Sequence, residues 1–183
     1  MRTDEYFLGP ESNTPRELVF GVVREPPAPF PYHQGVVTRL ASVLHAHTAQ
    51  NRLGDVYVSP VDVVLDERRG LVLQPDIVFV AASNRAIVRD RIWGAPDIVI
   101  EVLSARTSQR DRTTKLAWYR EYRVGEDWLV DPVSASIEIV DCASVTVPAV
   151  YEGVRPLRSR VLPTIVLSAH DAFPGDDGLQ RVE

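Results

Sequence analysis

Two carboxylates and one ammonium stand out in this chain because of where they fall. Asp76 opens the apolar run QPDIVFVA, Glu101 lies inside APDIVIEVLS, and Lys115 follows on the polar segment QRDRTTKLAWYREY. A charged group among β-branched neighbours is costly unless it is paired, hydrogen-bonded or bound to metal. Nineteen of the twenty basic residues are arginine, so Lys115 is the single lysine. Arginine is a fixed, planar cation, whereas a lysine ammonium is a compact donor that responds to burial. Two acids and an ammonium near strand ends suggest hydrolysis of a phosphodiester with a divalent metal. Plainer readings stand beside this one. Arginine bias alone would leave a lone lysine, and Asp76 could merely close a turn, as Asp97 does in the second Pro-Asp pair. Asp111 and Lys115, four apart, could form a surface ion pair contributing about 0.2–0.5 kcal/mol. Position favours the chemical reading, because a helix directly after the Glu101 strand can pack back and aim Lys115 across its end.

Other candidates are weaker. Asp62, in SPVDVVL, is a further carboxylate inside an apolar strand. His33 opens a helix that holds no acidic residue before Asp55, which makes it that helix's best site contact. His45 and His47 are two apart and point in different directions on a helix, so they form no metal pair. Glycine-rich phosphate loops, nucleophile elbows and HExxH zinc patterns are missing from the sequence. Trp118, Tyr119, Trp128 and Asp131 read as core and turn material.

The chain is 183 residues long, which suits one domain. One cysteine, Cys142, excludes an internal disulfide framework and a cysteine-based zinc cluster. Neither a signal peptide nor an apolar run of about 20 residues is visible, so a soluble, cytoplasmic protein with no membrane partner is expected. The net charge of −5 argues against indiscriminate adhesion to nucleic acid. Residues 85–123 nevertheless hold eight arginines and Lys115 against five acids, a local +4 that leaves −9 elsewhere. Such a segment can be a phosphate footprint or an ordinary solvated helix surface.

Positioning elements follow from periodicity. ELVFGVVRE (17–25) reads as a strand pair around Gly21, and PPAPFP (26–31) as an extended lead-in. Val36, Val37, Leu40, Val43, Leu44 and His47 recur at helical spacing, predicting an amphipathic helix over 33–51. VYVSPVDVVLD (56–66) reads as one strand interrupted near Pro60. The runs 75–81 and 96–104 are nearly continuously apolar, as in strands covered on both faces. A surface loop is expected over 82–95. A helix is expected over 109–122, with Thr107 or Ser108 as N-cap and Leu116, Tyr119 and Tyr122 inward. Strands near 127–132, 136–141 and 147–151 follow, then a strand and a short helix over 161–173. The sum is an α/β core with a mixed sheet flanked by helices.

The run from PDIVFV through GAPDIVIEVLSARTSQRDRTTKLAWYREYRVGEDWLVDP resembles the Uma-two family of putative restriction endonucleases, within the PD-(D/E)XK nuclease superfamily. Weaker similarity in ELVFGVV, YHQGVVTRLASVL and SPVDVVL extends it over most of the chain. The resemblance implies a restriction-endonuclease-like fold and a metal-dependent DNA endonuclease. It makes Asp76 and Glu101 the two acidic positions and Lys115 the migrated lysine, because Leu103 stands where the lysine is usual. Asp76, Glu101 and the Val102 carbonyl would hold Mg²⁺ or Mn²⁺. His33 or Glu17 would replace an acid missing from the first helix. Arg106, Arg110 and Arg112 would contact backbone phosphates, and related nucleases often work as homodimers. The alternative is a nuclease-fold protein that binds nucleic acid or a protein partner without cutting.

Overall fold

The structure, a computed structural model, describes residues 1–9, 14–104, 111–144 and 146–173, without the side chains of residues 111 and 112. In chain order the elements are α1 (Thr3–Phe7), β1 (Glu17–Val19), β2 (Val22–Arg24), α2 (Pro31–Asn51), β3 (Gly54–Val58), β4 (Val63–Asp66), β5 (Leu71–Leu73) and β6 (Ile77–Ala81). They continue with β7 (Ile92–Trp93), β8 (Ile98–Val102), α3 (Leu116–Glu121), β9 (Glu126–Asp131), β10 (Ser136–Asp141), β11 (Ala149–Glu152) and α4 (Ala169–Ala172). A 3-10 turn fills Ala82–Ile87, and a π-helical turn, Asp111–Lys115, leads into α3.

The strands form two mixed sheets, one ordered β2-β1-β5-β4-β7 and the other β11-β10-β9-β8-β6-β3. Pairing is antiparallel except for β4 with β7 and β8 with β9. The reason the six-stranded sheet is central lies in its sequence. β6 and β8 are, apart from Ala81 and Glu101, runs of Ile, Val and Phe whose two faces both need cover. Ile77, Phe79, Ile98, Ile100 and Val102 pack against Val36, Leu40 and Leu44 of α2. On the opposite face Val99 meets Leu71, Leu73, Tyr119 and Val124, so β5 and α3 supply the second cover. Fully burying each such side chain contributes about 1.5–3 kcal/mol. In α2, Pro31 occupies the first turn, where its missing N–H costs nothing, and Arg52 in a left-handed conformation ends the helix.

Several expectations change. The run 56–66 is two strands in different sheets, divided at the cis Ser59–Pro60 bond. The expected loop over 82–95 holds the 3-10 turn and β7, which pairs with β4. The described part of the 109–122 helix begins as a π turn, and the proposed caps Thr107 and Ser108 lie outside the described residues. Over 161–168 no strand forms; only an isolated Pro156–Ser168 bridge precedes α4. The three-residue β5 and the N-terminal α1 were not anticipated. Gly125 connects α3 to β9 with its backbone pressed on the Asp97 carbonyl, so that a Cβ would collide with that oxygen.

Candidate active site

The chemistry gathers where β6 begins and β8 ends. Ile77 is paired with Ile100, and continuing that register by one residue sets Asp76 opposite Glu101. Residues directly opposite in an antiparallel pair have Cβ atoms about 4.5–5.5 Å apart. Asp76 is fixed from two sides: its Oδ2 accepts the Val102 N–H at 2.8 Å, and its Oδ1 lies 3.1 Å from His33 Nε2. The α2 helix, entering at Pro31, delivers His33 in its first turn. The Asp76 and His33 side chains are 20% and 15% exposed, so this pair forms the solvent-facing edge of the site.

Glu101 lies deeper, because alternate β8 residues face opposite sides and Glu101 shares the face of Val99. Lys115 Nζ donates to Glu101 Oε1 at 2.9 Å and lies 2.9 Å from Glu17 Oε1. All three side chains are buried. Tyr119 donates its phenol proton to the same Glu101 oxygen at 2.6 Å. Lys115 and Tyr119 are four apart, which puts both on the face of α3 that meets the sheet. Burial, and next to it the charge of Glu101, hold the Tyr119 phenol well above its usual range. It therefore stays a proton donor throughout the range in which proteins work.

Leu103 is buried, and the ammonium reaches Glu101 from the helix instead of from the strand. Glu17, at the start of β1, enters the cluster as a partner of Lys115. Asp62 does not touch it: Asp62 accepts a 2.8 Å bond from Gln74 Nε2 and pairs with Arg91 Nε at 3.2 Å. Val102 enters through its N–H, donated to Asp76. Arg106 and Arg110 lie outside the described residues, as does the Arg112 side chain. Asp97 caps the other end of β8, accepting from the Ala81 N–H and Asn84. Tyr119, read from the sequence as core, also bonds Glu101, a contact the sequence reading does not give. Its signal was its position one helical turn after Lys115.

The donors suit a hard cation. Asp76 and Glu101 offer carboxylate oxygens, which Mg²⁺ prefers, and Mg²⁺ commonly uses one or two carboxylates while keeping several waters. Among the described residues no group of three or more His, Cys, Asp or Glu is arranged to hold a metal. Two carboxylates would leave most of such an ion's coordination to water.

Fold and site together define a restriction-endonuclease-like α/β protein. The chain belongs to the Uma2 family, described as "Putative restriction endonuclease", the match covering residues 3–169. Its fold is shared with a crystal structure of a protein from Anabaena variabilis, described as a putative nuclease belonging to DUF820. The two superpose with a TM-score of 0.79 at 19% identity, over 94% of this chain and 97% of that one. No curated protein matches the chain. Among the described residues no helix is long and apolar enough to cross a membrane.

Proposed function

We propose that the chain is a nuclease that hydrolyses phosphodiester bonds of nucleic acid, DNA foremost, at Asp76, Glu101 and Lys115 with Mg²⁺ or Mn²⁺ bound. The observation that carries this reading is the burial of the single lysine at 2.9 Å from Glu101 Oε1. Apolar side chains would seat α3 on the sheet at least as well as a buried ion pair. An ammonium held there against its desolvation cost is better explained by chemistry than by stability.

Asp76 and Glu101, with the Val102 carbonyl, would hold the ion. A divalent cation so bound supplies a lower pKa for water and offsets charge on the scissile phosphate. The chain's own groups do the rest. Lys115 orients the attacking water and donates toward the oxygen on which charge develops. Glu17, 2.9 Å from the ammonium, holds it beside Glu101. Tyr119 fixes the Glu101 carboxylate, and His33 fixes Asp76. Arg106, Arg110 and Arg112 would bind backbone phosphates, positioning the substrate without reading its sequence. Cutting both strands calls for two such sites, hence a homodimer.

A second reading, binding without cleavage, draws on the hydrogen bonds that already engage both Asp76 oxygens. Supercoiled plasmid with Mn²⁺ or Mg²⁺ separates the two. Nicking by the wild-type chain, absent in Asp76→Ala and Lys115→Ala, supports the nuclease. Binding to DNA without nicking supports the second reading, and equal nicking by all three proteins would expose a contaminant and overturn the first.

A further inference from the structure

Gln74, which precedes the Pro75-Asp76 turn, makes three polar contacts, two at the start of β1 and one to Asp62 just before β4. Its Oε1 accepts the Arg16 N–H at 2.9 Å, its Nε2 donates to Asp62 Oδ1 at 2.8 Å, and its own N–H donates to Glu17 Oε1 at 3.3 Å. The Glu17 oxygen it holds is the one that lies 2.9 Å from Lys115. Behind Gln74 the arrangement is braced. Arg91 pairs with the second Asp62 oxygen and lays its guanidinium 3.7 Å over the Phe7 ring of α1. Tyr6 of the same helix donates to the Arg16 carbonyl at 2.7 Å. The residue before Glu17 is thus gripped at both its N–H and its carbonyl. A strand of three residues has little pairing of its own with which to fix its first side chain.

We propose that Gln74, anchored by Asp62 and Arg91, is a positioning residue for Lys115: its side chain fixes Arg16 while its backbone N–H holds the adjacent Glu17, and through Glu17 it sets the direction of the ammonium at the site. The role in turnover rests on the nuclease reading above, while the effect on Lys115 itself does not. The side-chain amide suits the bracing of Arg16 because it donates to Asp62 and accepts the Arg16 N–H at once, which neither a carboxylate nor an alkyl chain can do. Glutamate at this place would set a third negative charge against Asp62 and Glu17.

The single lysine makes the test direct, since [ε-¹³C]lysine labelling of the full chain yields one lysine resonance. Wild type, Gln74→Ala, Gln74→Glu and Asp62→Ala are compared by the position and pH dependence of that resonance, by thermal midpoint, and by plasmid nicking with Mn²⁺. The expected result is a displaced Lys115 resonance in each folded variant. With it, kcat falls about tenfold to a hundredfold while KM stays within about twofold, the signature of a misplaced group. Gln74→Ala and Asp62→Ala should combine less than additively, because they act through one chain of contacts. If Gln74→Ala does not fold, Asp62→Ala carries the test. An unmoved Lys115 resonance in folded variants overturns the proposal, whatever happens to stability. A wild-type chain that never nicks DNA, with the resonance still displaced, would sink the nuclease reading and leave the positioning role standing.

Discussion

Two buried glutamates on neighbouring parallel strands, Glu101 of β8 and Glu126 of β9, are stabilised in opposite ways. They occupy opposite ends of the strand pair, since Ile98 lies beside Glu126 and Glu101 beside Leu129. Glu126 receives only neutral donors: the N–H groups of Arg160 and Val161, the Trp128 indole and the Ser159 hydroxyl. These knot the segment after β11 onto the sheet. Glu101 instead receives a lysine ammonium and a phenol carried by a helix. A carboxylate whose task is architectural can be satisfied by backbone and hydroxyl groups nearby. One that receives a long cationic side chain at a desolvation cost is, on the proposed reading, placed for a charge that must respond to something else.

The sharpest way to break that contrast is to remove the ammonium. Lys115→Ala should lower kcat for plasmid nicking by about a hundredfold or more, the scale for losing one donor to developing charge. The largest stability effect is expected at the other glutamate. Glu126→Ala strands four donors, and at about 1–3 kcal/mol for each buried unpaired group the loss should reach roughly 3 kcal/mol or more in urea unfolding. Nicking per folded molecule should stay within about twofold, as befits a distant site. If Glu126→Ala removed activity at unchanged stability, the division of labour would be wrong.

A subtler separation neutralises the whole cluster. Glu17→Gln, Glu101→Gln and Lys115→Met together should abolish nicking yet leave the unfolding free energy within about 1 kcal/mol of wild type, because buried ion pairs contribute little net stability. A large destabilisation would show that the cluster is scaffold.

The smallest effect concerns alkaline pH, on the face shared by Val99, Tyr119 and Cys142. Burial, and after it the charge of Asp127, push the Cys142 thiol up to about 12 from an ordinary value of 9.0. Between those values the unfolded chain has lost the thiol proton that the folded chain keeps. Stability should therefore fall as pH rises past about 9. Tyr119, raised well above 10.0, acts in the same direction at higher pH. Cys142→Ala should flatten the first part of that decline, as read from urea unfolding at stepped pH, and the folded thiol should resist thiol reagents at pH 8.

How much of this was legible follows from which signals are local. Asp76 and Glu101 could be found because a charge in or beside an apolar run violates a local rule, Lys115 because it is the single lysine, and α2 because its apolar spacing repeats over about three turns. β5 has three residues, too few for any period to register. The run 56–66 is rich in valine on both sides of Pro60, and nothing local reveals that its halves join different sheets. Tyr119 was read as core because its ring is core; only the partner of its hydroxyl, eighteen residues away, makes it more. Gln74 is an unremarkable polar residue until Arg16, Glu17 and Asp62 surround it.

The close seat of Gly125 against Asp97 sets a limit on variation. With the carbonyl oxygen occupying the space of a would-be methyl, even alanine there must wedge β9 away from β8. In a saturation library this position should be nearly intolerant. The two glutamates thus ride on a single rigid plate whose spacing is set by an atom that is not there.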